Sequence, residues 1–64
     1  MNDYCCYFFN QNGYSLFPAD IRADNLEDAK RHCFAILHDC ALLLPIPPRS
    51  IEIWKAKVML FSLP

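Results

Sequence analysis

Four cysteines, two histidines and a run of carboxylates are the residues of this chain whose chemistry needs settling first. A metal site or a disulfide is the obvious use for Cys5, Cys6, Cys33 and Cys40, with His32 and His38 as further ligands. Spacing argues against both. On a helix, Cys33 and Cys40 are separated by about 10.5 Å of rise, whereas two thiolates on one zinc, each about 2.3 Å from it, lie within about 4 Å of each other. Cys5 and Cys6 are neighbours on an extended segment and point to opposite faces, so at most one of them can meet a helix cysteine. The expectation is therefore reduced thiols that serve as small apolar side chains, with no metal and no cofactor.

Nucleophilic catalysis fails a similar test. A cysteine nucleophile needs a histidine within hydrogen-bond reach, yet around a helix His38 lies about 160° from Cys40 and His32 about 100° from Cys33. The single glycine also excludes a glycine-rich phosphate loop. The chain is not expected to be an enzyme.

The carboxylates are more informative. Asp20, Asp24, Glu27 and Asp28 fall within nine residues and are offset only by Arg22, which makes a local negative patch on a chain of net charge −1. Calcium would need ligands at alternating loop positions and a turn glycine, and neither is there. Asp24, Glu27 and Asp28 also stand where a helix dipole favours negative charge, so part of the cluster has a structural reason to exist. What remains is a candidate contact for a basic protein surface.

Several elements must position these groups. Tyr4 to Phe9 is aromatic and lacks helix formers, and Asn12-Gly13 is a hairpin signal, which predicts strands at about 3–10 and 14–17. A two-residue turn would set Phe9 opposite Leu16 and Phe8 opposite Phe17. One face then carries Cys5, Tyr7, Phe9 and Leu16, and the other Tyr4, Cys6, Phe8 and Phe17. Both faces are apolar, so either both are covered or one is an interface. Residues 18–24 read as a loop. Asp24 or Asn25 offers an N-cap with Glu27 or Asp28 as its partner, so a helix starts here. Its core stripe is Leu26, Ala29, Cys33, Ile36, Leu37, Cys40 and Leu44. Phe34, His38 and Leu42, spaced i, i+4, i+8 beside Arg31, point largely outward. Pro45, Pro47 and Pro48 end the helix and force an extended crossover. Ile51 to Leu63 is strand-like but too long for one strand of so small a domain, which predicts a bend or hairpin near Lys55 to Lys57. These lysines are expected to blunt an exposed strand edge.

The expected fold is α+β: residues 1–64 form one small domain in which an antiparallel sheet of three or four strands packs on one helix. The order is β-β-α-β, or β-β-α-β-β if the last segment folds back. At 64 residues, 55% hydrophobic and 20% charged, the chain is neither disordered nor multi-domain, and its apolar content exceeds what one small core hides. It lacks the basic footprint of a nucleic-acid binder and an apolar run of membrane-span length, and its first residues read as neither a cationic n-region nor a cleavage-type h-region, so no secretory leader is expected. A cytoplasmic location is the default expectation.

Two family resemblances attach to these residues. Gly13-Tyr14-Ser15-Leu16-Phe17-Pro18, the helix start Asp24-Asn25-Leu26-Glu27-Asp28-Ala29 and the exit Pro45-Ile46-Pro47-Pro48-Arg49-Ser50 resemble the HicB-like antitoxin domain. The opening Tyr7-Phe8-Phe9, the same helix start and Ile51-Glu52-Ile53 resemble an uncharacterised family of small bacterial domains. Both resemblances imply a small antiparallel sheet against one helix. Size, surplus apolar surface and the acidic patch together point to a non-enzymatic protein-interaction module. The expected type is a small bacterial or phage inhibitor, antitoxin-like or anti-CRISPR-like, that occludes a partner's nucleic-acid-binding surface through Asp20, Asp24, Glu27, Asp28, Arg31, Phe34, His38 and Leu42. The alternative is a homo-oligomeric structural domain joined through its second apolar sheet face.

Overall fold

The computed structural model describes residues 1–45 and 48–63 as one helix on one face of a four-stranded antiparallel sheet. The elements run β1 (Asn2–Phe9), β2 (Ser15–Ala23), α1 (Leu26–Leu43), β3 (Ser50–Lys55) and β4 (Val58–Leu63). The order in the sheet is β2-β1-β3-β4, so β1 and β3 are central and α1 carries the chain from one edge over β1 to the far side. Of the two strand orders expected, the structure has β-β-α-β-β, with the last segment folded back at Ala56 and Lys57.

Strict alternation sorts β1. Tyr4, Cys6 and Phe8 are buried under the helix, while Cys5, Tyr7 and Phe9 point to the uncovered side. Ile21 and Ala23 of β2, Ala29 and Cys33 of α1, and Ile51 and Ile53 of β3 complete the core, and Phe8 stacks on Phe17 at 4.8 Å. Phe8, Ile51 and Ile53 are fully buried, so the core is centred on the two middle strands, while α1 packs most closely on β2.

The helix begins as its capping residues require. Asn25 is the N-cap, and its side chain accepts from the Asp28 backbone N–H at 2.9 Å. The reciprocal bond reaches one residue further back than in an ordinary capping box: Asp28 Oδ2 accepts from the Asp24 N–H at 3.2 Å. At the other end the expected stripe overruns its support. Eighteen residues of helix span about 27 Å, whereas six-residue strands span about 20 Å. Leu44, expected in the core, is instead the exposed C-cap, and Leu42 and Leu43 are exposed beside it. Ile46 and Pro47, at the centre of the expected crossover, lie outside the described residues.

Three expectations about the strands need correction. Residues 18–24 are not a loop, because β2 continues to Ala23 with Ala19, Ile21 and Ala23 facing the helix and Asp20 and Arg22 facing away. That period-two alternation is a strand signal, and Pro18 is tolerated because β2 is an edge. The first hairpin does not close in two residues. Asn10 N–H donates to Tyr14 C=O, Gly13 N–H donates to Asn10 C=O, and the Asn10 side chain accepts from the Asn12 and Tyr14 N–H groups. Gly13, at φ +83°, takes the left-handed position of this wider loop. Phe8 pairs with Phe17 as expected, but Phe9 pairs with Ser15 rather than Leu16 because the register slips there by one residue. Finally, Lys55 ends the interior strand β3 and Lys57 lies in the turn, so neither blunts the β4 edge.

Candidate protein-interaction surface

Among the described residues, no element covers the side of the sheet away from the helix. Register places its residues in rows across the strands. One row reads Pro18, Tyr7, Glu52, Ser62; the next reads Asp20, Cys5, Trp54, Met59; Arg22 and Asp3 close one end with an exposed ion pair of 3.2 Å. Phe9 continues the aromatic line toward the first hairpin, with Leu16 exposed near it. Tyr7 and Trp54 meet edge to face, with centroids 6.4 Å apart and planes at 88°. The Trp54 indole N–H donates to Glu52 Oε1 at 3.0 Å, which fixes both groups. Tyr7, Phe9, Ser15, Glu52 and Trp54 line a shallow hollow of about 350 Å³.

The electrostatics of this face are negative. Asp20 and Glu52 stand on either side of the Cys5–Tyr7 line, and neither makes an ion pair among the described residues. The Tyr7 hydroxyl is pushed above the ordinary phenol range. The largest cause is its hydrogen bond with Cys5, followed by the charge of that thiol, desolvation and the Asp20 and Glu52 carboxylates.

The eight residues singled out from the sequence do not share one surface. Asp20 projects from the open face of β2, whereas Asp24, Glu27, Asp28, Arg31, Phe34, His38 and Leu42 belong to the helix or its approach. Asp28 is engaged by the cap and by Arg31 at 2.8 Å, and His32 approaches it at 3.8 Å. Its carboxyl is held below its ordinary value, by the Asp24 N–H first; desolvation, the next largest effect, opposes this, and Arg31 and His32 then lower it further. Glu27 pairs with Lys30 at 3.1 Å, and the Lys30 ammonium lies 4.4 Å from the centre of the Phe61 ring. Phe34 packs perpendicular to that ring with centroids 6.3 Å apart, while His38 and Leu42 are exposed further along. The sequence reading did not single out Tyr7, Phe9, Glu52 and Trp54 as a group. Alternation marks Tyr7 and Phe9 as one face, but only the β1–β3 register brings Glu52 and Trp54 beside them.

Among the described residues, no group of three or more His, Cys, Asp or Glu side chains is placed to hold a metal ion. Cys6 and Cys33 meet in the core as unbridged thiols. Their hydrogen bond drives the Cys6 thiol far above its ordinary range, with burial adding to it, and holds Cys33 lower as the partner that ionises first. Among the described residues, no helix is long and apolar enough to cross a membrane. Comparison of the chain with protein-family models, with curated proteins and with solved structures gives no match.

Proposed function

We propose that this chain is a non-enzymatic protein-interaction module whose docking surface is the open face of its sheet. The observation that carries this reading is the composition of that face. Tyr7, Phe9, Leu16, Pro18, Trp54 and Met59 lie together on a surface that no element among the described residues covers. An antiparallel sheet that ends in water ordinarily alternates apolar with polar residues, and contiguous apolar surface of this kind marks association sites. The finer reading, an antitoxin-like or anti-CRISPR-like inhibitor that occludes a basic nucleic-acid-binding surface, draws support from the carboxylates on both sides of the sheet: Asp20 and Glu52 on the open face, Asp24 and Glu27 at the helix start. The resemblance of residues 13–18 and 24–29 to the HicB-like antitoxin domain points to the same class.

The test is affinity capture from the cells that make the protein, comparing wild type with a Phe9→Ser/Trp54→Ser variant of the open face and a Phe34→Ala/Leu42→Ala variant of the helix. A partner lost only in the first variant supports the reading. A partner lost only in the second moves the docking surface to the helix.

A second reading, self-association, is favoured by one specific observation. The edge strand β4 reads Val58-Met59-Leu60-Phe61-Ser62-Leu63 and contains neither charge nor proline, the devices by which edges avoid pairing. Sedimentation equilibrium decides this reading, since a monomer at every concentration ends it.

A further inference from the structure

We propose that the hollow between Tyr7, Phe9, Trp54 and Glu52 is a binding site for an organic cation, and that its occupant is the guanidinium of an arginine side chain on a partner protein. The inference rests on the interaction-module reading and names the chemistry of the partner. Three aromatic side chains line the hollow, and two of them stand perpendicular: the Tyr7 and Trp54 planes meet at 88° with centroids 6.4 Å apart. Both rings line the hollow, and a cation is drawn to the negative face of an aromatic ring. Glu52 lines the same hollow and is oriented by the Trp54 indole N–H, which occupies Oε1 and leaves Oε2 with no partner among the described residues. Asp20 adds a second negative charge one row away.

The choice of arginine follows from shape. A guanidinium is planar, stacks on an aromatic face and offers N–H donors in a fork that a carboxylate accepts, whereas an ammonium is a compact, strongly hydrated point charge. The hollow is open and shallow, so it suits a side chain presented from another surface rather than an enclosed free ligand. A phosphate group is repelled by Asp20 and Glu52, the opposite of what a nucleic-acid surface requires. Arg22, on the same face of β2, lies at its far end and is engaged with Asp3 at 3.2 Å.

Trp54 is the only tryptophan of the chain, so its fluorescence reports this site alone. The probes are the N-acetyl methylamides of arginine, lysine and citrulline; citrulline keeps the shape of arginine without its charge. The arginine compound is expected to change Trp54 emission saturably, about tenfold more tightly than citrulline and several-fold more tightly than lysine. Glu52→Gln should weaken the arginine compound about tenfold, and Asp39→Asn on the helix should leave it unchanged. Thermal unfolding checks that both variants are folded, and NMR shifts of the Tyr7 ring and the Trp54 indole proton locate the bound cation. Equal titration by arginine and citrulline, absence of saturation, or shifts confined to the helix start would each overturn the proposal. Because the probes are single side chains, the result is independent of partner capture. A partner that binds the open face of a protein indifferent to arginine would overturn this inference and leave the interaction module standing.

Discussion

Two neighbouring residues of β3, Ile53 and Trp54, point to opposite sides of the sheet, and replacing each by alanine separates folding from docking. Ile53 is fully buried between the sheet and α1. Removing its side chain there should cost about 4 kcal/mol, within the usual range of about 2–5 kcal/mol for an isoleucine in a core that cannot collapse around the gap. Trp54 is half-buried on the open face, where it has one edge-to-face aromatic contact and one surface hydrogen bond. Its loss should cost no more than about 1.5 kcal/mol. For 64 residues the whole stability is roughly 3–10 kcal/mol, so Ile53→Ala leaves the domain at the margin of folding and Trp54→Ala leaves it folded. Urea unfolding followed by far-ultraviolet circular dichroism reads the difference. With a slope of about 1 kcal/mol per molar for so small a domain, the midpoints should fall by about 4 M and by no more than about 1.5 M. Equal losses would refute the reasoning, because they would mean that the open face is as tightly packed as the core and is therefore covered in solution.

Other perturbations test other parts of the fold. Asn25→Ala removes the 2.9 Å cap on Asp28 and should cost about 1 kcal/mol, lowering the melting temperature by about 4–8 °C, while Asn25→Asp should be nearly neutral by the same measurement. Because the folded state holds the Asp28 carboxyl below its ordinary value, the stability it contributes is present above pH of about 4 and lost as pH falls through its folded pKa; melting curves of wild type and Asp28→Asn should converge in acid. Cys6 and Cys33 are buried and Cys5 and Cys40 only partly so, so a thiol reagent should modify Cys5 and Cys40 in the native protein and all four cysteines only on unfolding, as peptide mass spectrometry would show. The raised Cys6 thiol makes stability fall as pH rises above about 8.5, because the unfolded chain then releases from Cys6 a proton that the folded state retains, whereas Cys33, held lower, does not retain its own, and Cys6→Ala should flatten that slope in alkaline melting curves. Ala56 sits at φ +55° in the β3–β4 turn, so Ala56→Gly should raise stability by a few tenths to about 1 kcal/mol, read as a higher urea midpoint.

The parts of this fold that were legible in the sequence are those set by local periodicity. The cap at Asn25, the alternation of Tyr4, Cys6 and Phe8 against Cys5, Tyr7 and Phe9, and the turn near Lys57 all depend on residues within a few positions of one another. The extent of β2 was hidden because Pro18 and Asp20 read as loop residues until the edge position of the strand removes the objection to them. The width of the first hairpin was hidden by Asn10, whose side chain accepts two backbone N–H groups and so stabilises a loop that the Asn12-Gly13 pair does not announce. The open-face hollow was beyond sequence reasoning for a different reason. Tyr7 and Trp54 are far apart in the chain, and their meeting depends on the register of β3 against β1, which no turn between those strands fixes.

The two edges of the sheet are unlike, and the difference limits how far the sheet can be extended strand by strand. The β2 edge carries Pro18, Asp20 and Arg22, which reject an added strand, while the β4 edge has neither charge nor proline. A strand from any other chain therefore finds one receptive side. If that strand is β4 of a second copy, the joined sheet ends in β2 at both borders, and a polymer has nowhere to continue. The sequence thus encodes a stop: extension through β4 ends at two chains, and a fibre would require Pro18, Asp20 and Arg22 to be breached.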